Sequence, residues 1–150
     1  MLAEANGGPI DYQGRNVMMS YRIPILNGQE FQIEVLHYKN DLVEQGFEVS
    51  VDQRKGLIYT NGQKLRAPVF WMETAPITIS FICYTSKANG ILNIWNVWRT
   101  INRKDSIEAW IGHAGLYIEE DGKNAVVIHC SNGIHQVDFS DLVLRMEQAV

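Results

Sequence analysis

The chain has 150 residues, of which 46% are hydrophobic and 20% charged, with a net charge of −4. That length is enough for one domain with a buried core, and the composition is ordinary for a globular protein. The negative balance argues against a nucleic-acid partner. The densest basic run, Arg99 to Lys104, carries three charges in six residues and reads as a solvated loop.

No apolar run approaches the length of a membrane span, and the first fifteen residues lack the basic and apolar stretches of a signal peptide. A cytoplasmic location without a membrane partner is therefore expected. Gly7-Gly8-Pro9 makes residues 1–15 a flexible lead-in to a single β domain. The two cysteines, Cys83 and Cys130, exclude a disulfide scaffold. Free buried thiols are favoured over a single bridge.

Five Asn-Gly pairs and one Asp-Gly pair punctuate the chain, most of them between apolar, β-branched and aromatic stretches. Such dipeptides supply the positive φ that two-residue hairpin turns need. Val17 to Pro24 reads as a first strand, turned by Asn27-Gly28 into Glu30–Tyr38. There Phe31, Ile33, Val35 and His37 alternate with polar residues, the period of a sheet with one wet face. Residues 39–46 read as a loop or one helical turn. Phe47, Val49 and Val51 mark a short strand. Leu57–Thr60 and Gln63–Leu65 flank Asn61-Gly62. Pro68 and Pro76 confine Val69–Ala75 to an edge.

Ile77–Thr85 and Ile91–Thr100 flank Asn89-Gly90 and are the most apolar strands, expected to lie centrally. Ile107–Glu120 is long, with Gly112 and Gly115 suggesting a bulge. Asp121-Gly122 turns it into Ala125–Ser131, and Asn132-Gly133 turns that into Ile134–Phe139. Leu142–Met146 reads as a closing strand in preference to a helix capped by Ser140. Convincing helical periodicity is absent. The expected fold is an antiparallel, hairpin-rich β-sandwich, with a partly closed β-barrel as the alternative.

Two-residue turns would fix the cross-strand neighbours. Asp121-Gly122 would place His113 opposite Cys130, and Asn132-Gly133 would place His135 opposite the same cysteine. A lateral row of His113, Cys130 and His135 would then form, in which a histidine could deprotonate the thiol or all three could hold a soft metal. The bland reading makes Cys130 a small core residue and the histidines boundary residues. No fourth ligand is in register, so no metal site and no cofactor are assigned.

The Asn89-Gly90 turn would place Tyr84 opposite Trp95. One face of this pair of strands would carry Ile77, Ile79, Phe81, Cys83, Asn96 and Trp98 as core. The other would carry Tyr84, Trp95 and Arg99, with Asn93 nearby. Aromatic platforms beside amides and an arginine suit a sugar or an extended peptide. Cross-strand aromatic pairs also stabilise sheets with no ligand at all.

No nucleotide-binding, hydrolase or His-x-His metal motif is present. The reading therefore favours a non-enzymatic module that binds a protein or small-molecule ligand through its aromatic sheet face. An enzyme or metal site on the His113/Cys130/His135 row is second, and a homodimer closed through the aromatic face is third.

Overall fold

A computed structural model of the chain describes residues 10–40, 43–100, 107–109, 114–134 and 136–149. Thirteen strands are assigned to these residues, and no helix. β1 (Ile10–Tyr12) and β2 (Arg15–Val17) form a separate hairpin, and β8 (Val69–Trp71) is a three-residue edge strand. The others are β3 (Tyr21–Ile25), β4 (Gln29–Tyr38), β5 (Val43–Val51), β6 (Leu57–Thr60), β7 (Gln63–Leu65), β9 (Thr78–Tyr84), β10 (Gly90–Thr100), β11 (Gly115–Glu120), β12 (Ala125–Ser131) and β13 (Leu142–Gln148).

The strands form an antiparallel β-sandwich, with no sheet closed into a barrel. One sheet has the order β3-β10-β5-β8 and the other β11-β12-β13-β4-β9-β6-β7. Between them, Phe47, Val49, Val51, Leu92 and Ile94 from the small sheet meet Phe31, Ile33, Phe81, Ile128 and Leu144 from the large one. Phe31 and Phe81 are direct cross-strand partners whose rings stack at 5.7 Å. Full burial of each such side chain contributes about 1.5–3 kcal/mol.

From β3 to β11 the chain changes sheet at almost every connection; only the β6–β7 pair stays within one sheet. This overturns the expected use of two Asn-Gly turns. Asn61-Gly62 is the hairpin the sequence predicts, with φ of 49° and 76° and Thr60 paired to Gln63. Asn27-Gly28 and Asn89-Gly90 instead turn corners between the sheets. At Asn27-Gly28 only the glycine has positive φ, so the turn is not the hairpin type. Asn27 Oδ1 accepts from Thr85 N, and Gly28 N donates to Cys83 O, which clips this corner onto the one that follows β9.

Further corrections follow from the registers. β5 is nine residues long and begins within the expected loop; Glu44, Gln45 and Glu48 masked it, because all are buried despite their polarity. Gln13-Gly14 closes the β1–β2 hairpin at φ of 54° and 79°, so part of the expected lead-in is folded and buries Val17. β13 is a strand, as expected, but an interior one between β12 and β4. Asn132-Gly133 opens a connection to β13, and no strand forms over Ile134–Phe139 among the described residues. No helix of the described residues is long and apolar enough to cross a membrane.

Candidate functional site

The outer face of the small sheet is built from alternate residues of three strands. In β10 the even positions Leu92, Ile94, Asn96 and Trp98 face the core, so Asn93, Trp95, Val97 and Arg99 face outward. Lateral register then sets their neighbours. Asn93 lies between Arg22 of β3 and Ser50 of β5. Trp95 lies opposite Glu48, Val97 opposite Gly46, and Arg99 opposite Glu44.

One half of this face is filled. Gly46 pairs with Trp71 of β8, and the absence of a side chain there lets the indole lie against the sheet; an added Cβ would sit 2.8 Å from both Trp71 Cε3 and Phe70 O. The Arg99 guanidinium stacks over Trp71 at 4.0 Å and donates to Glu44 Oε2 at 2.5 Å. Arg99, expected as a ligand contact, therefore holds Trp71 and a buried carboxylate in place.

The other half is a cavity of about 480 Å³. Trp95, Asn93 and Ser50 form its floor, Arg22 and Ser20 one wall, and Gln53 and Arg54 the opposite wall. Asn93 is only 8% exposed and Ser50 1%, and among the described residues neither side chain has a hydrogen-bond partner. Among the described residues the polar side-chain atoms sealed from solvent without a partner belong to Gln45, Trp98 and Thr100, so Asn93 and Ser50 present theirs to the cavity.

The wall formed by Gln53 and Arg54 is conformationally expensive. Asp52, Gln53 and Arg54 have φ of 53°, 55° and 71°, three successive left-handed residues that are not glycine. Gln53 and Arg54 each cost about 1–2 kcal/mol there, and an aspartate tolerates it more readily. The turn persists because its ends are over-determined. Asp52 accepts from Thr85 Oγ1 at 2.5 Å and from Ile91 N at 2.9 Å. Arg66 Nη1 donates to the carbonyls of Arg54 and Lys55. Arg54 Nη2 donates to Glu48 Oε2 at 3.0 Å. Burial raises the Glu48 carboxyl above its usual range, and Arg54 partly offsets that.

Tyr84, expected beside Trp95, is on the other sheet. It pairs with Leu57 of β6, and Lys64 Nζ lies 5.5 Å from its ring centroid. The faces of β10, and of Ile79, Phe81 and Cys83 in β9, are as expected because alternation is local; Ile77, expected in the core, precedes β9 and is 73% exposed. The pairing failed because β9 and β10 belong to different sheets.

The expected histidine–cysteine row is overturned at its register. The β11–β12 connection leaves three residues, 122–124, between Asp121 and Ala125, which shifts the pairing by an odd number and puts Leu116 opposite Cys130. On the other side Cys130 meets Leu142. The cysteine is 1% exposed, and burial, with Asp141 nearby, pushes its thiol far up. His113 and His135 lie outside the described residues. Among the described residues no three His, Cys, Asp or Glu side chains are grouped to hold a metal.

Of the residues that line this cavity, the sequence pointed to Asn93 and Trp95 and not to Ser20, Arg22, Ser50, Gln53 or Arg54. The polar alternation of Glu44, Glu48 and Ser50 against Val43, Val49 and Val51 was the available signal for β5. Nothing local joins it to Arg22. No protein-family model, curated protein or solved structure matches the chain.

Proposed function

We propose that this protein is a non-enzymatic binding module that takes a saccharide in the Trp95 cavity. The observation that carries the reading is the pair Asn93 and Ser50, buried and unpartnered on a cavity floor beside a half-buried indole. A pyranose matches that floor. Its C–H face can lie on an aromatic ring while its hydroxyls donate to and accept from amide and hydroxyl groups. The left-handed turn through Gln53 and Arg54 supports the reading, because strain of this kind collects at ligand clamps.

Two alternatives fit less well. The buried, strongly protonated Cys130 thiol is a poor nucleophile, which weakens the enzyme reading. Homodimer closure through this face is weakened because, among the described residues, the two most exposed large apolar side chains, Leu26 and Ile77, lie outside the strands that form it.

The test is a glycan-array screen with tryptophan-fluorescence titration of the hits, using wild type, Trp95→Ala and Tyr84→Ala. Binding that is lost in Trp95→Ala and kept in Tyr84→Ala is expected. Absence of any saccharide hit for folded wild type, or equal binding by Trp95→Ala, rejects the reading.

A further inference from the structure

We infer that the saccharide this site prefers carries a carboxylate, and that Arg22 is the residue that reads it. The inference rests on the saccharide reading of the Trp95 cavity and adds the charge of the ligand to it.

The argument begins with the charges around the cavity. Two guanidinium groups line it, from Arg22 and Arg54. Arg54 is matched by Glu48, which it meets at 3.0 Å. Arg22 has no acidic partner among the described residues. The cavity thus holds one cation more than it holds anions, on a chain whose net charge is −4. A positive spot on a negative molecule selects for a negative group at that spot.

Register places the cation. Arg22 is the direct cross-strand neighbour of Asn93, and Asn93 is the direct neighbour of Ser50. A guanidinium, an amide and a hydroxyl therefore stand in one row across β3, β10 and β5, with Trp95 two residues along β10 from that row's centre. Directly opposed side chains start about 4.5–5.5 Å apart. The row therefore spans about 9–11 Å, a length that an oligosaccharide with one ring on Trp95 covers.

The chemistry favours a carboxylate. The planar fork of arginine meets a carboxylate in two parallel hydrogen bonds, a match that a hydroxyl cannot reproduce. Arg22 is on an edge strand with its side chain exposed, so a ring substituent can approach it without displacing protein. Asn93 and Ser50 remain for the neutral hydroxyls of the same oligosaccharide.

The decisive experiment compares a uronic-acid tetrasaccharide with its full methyl ester, which keeps length, linkage and hydroxyls and removes only the charge. Both are titrated by calorimetry into wild type and Arg22→Gln, at low and high salt, with inorganic phosphate as a control anion. The acid form is expected to bind wild type about tenfold more tightly than the ester and to weaken with salt. In Arg22→Gln that preference should vanish, the acid form losing more affinity than the ester. Matching urea midpoints for the two proteins would show that the variant is folded.

Equal affinity of wild type for acid and ester would overturn the carboxylate inference and leave the saccharide reading standing. So would displacement of the acid by inorganic phosphate at equal concentration, since the arginine would then be a generic anion contact. A preference that survives in Arg22→Gln would overturn the role of Arg22. Failure of both tetrasaccharides, combined with an empty glycan screen, would reject the underlying reading itself.

Discussion

Thr85 Oγ1 donates to Asp52 Oδ2 at 2.5 Å, joining the corner after β9 to the turn after β5 across 33 residues of chain. The other oxygen of the same carboxylate accepts from Ile91 N at the start of β10. One buried side chain thus ties together both sheets and anchors the left-handed turn that walls the Trp95 cavity.

Asp52→Ala should therefore lower stability by about 1.5–3 kcal/mol, the range for hydrogen bonds to a charged acceptor. It should also release Gln53 and Arg54 from left-handed backbone. Urea unfolding reports the first effect, and proteolysis after Arg54 in the native state reports the second. A variant as stable and as resistant as wild type would show that Arg66 alone holds the turn.

Gly46→Ala probes the filled half of the same face. The new methyl would meet the Trp71 ring and a β8 carbonyl at 2.8 Å, and the carbonyl belongs to a paired strand and yields little. A loss of about 1–3 kcal/mol is expected, with a shift in tryptophan emission as the Trp71 ring lifts from beneath Arg99. An unchanged spectrum and midpoint would mean that β8 is free to slide outward.

The buried thiols should make the protein sensitive to alkali. Burial pushes Cys83 up to about 12 and raises Cys130 as well. An unfolded thiol ionises near about 8.5. Above that pH the unfolded chain loses protons that the folded chain keeps, so stability falls as pH rises. The slope is about 1.4 kcal/mol per pH unit for each thiol until the folded pKa is passed. Urea midpoints across this range should flatten in Cys83→Ala. A slope that does not change would assign the alkaline loss elsewhere, with Tyr21, raised by burial and by Glu120, the next group to test. Neither thiol should react with a thiol reagent until the protein unfolds.

The acid side has its own group. The hydrogen bond from Lys39, followed by those from Ser140, holds the Asp138 carboxyl down at about 2. A depressed carboxyl contributes stability above its unfolded pKa, near 3.9, and loses it as pH falls toward about 2. Asp138 is more than one-third exposed at its side chain, so solvent screening keeps the effect within about 1 kcal/mol. Lys39→Met should reduce the difference between urea midpoints at neutral pH and in this acid window. NMR titration of the Asp138 carboxyl in that variant should return it toward the ordinary value.

Much of the local structure was legible in advance. Phe31 and Ile33 read as core from their alternation with Gln32 and Glu34, and they are core. Asn93 and Trp95 read as sharing a face, and they share one cavity. Asn61-Gly62 read as a hairpin and is one. The pairing of Tyr84 with Trp95 and of Cys130 with two histidines did not survive, because each assumed that strands consecutive in the chain are neighbours in one sheet, or that a turn has two residues.

The sequence by itself determined which side of its strand each residue occupies. That property follows from the period of an extended backbone and needs no partner. Only the tertiary structure decided which strands lie side by side, and so which side chains meet. Asn27-Gly28 and Asn89-Gly90 carry the same dipeptide as a true hairpin, yet both turn corners between sheets. Burying two apolar faces against each other outweighs the local preference of two residues for a hairpin. The Trp95 cavity is a product of that choice, since Arg22, Ser50 and Asn93 come from strands far apart in the chain and are joined only by lateral pairing.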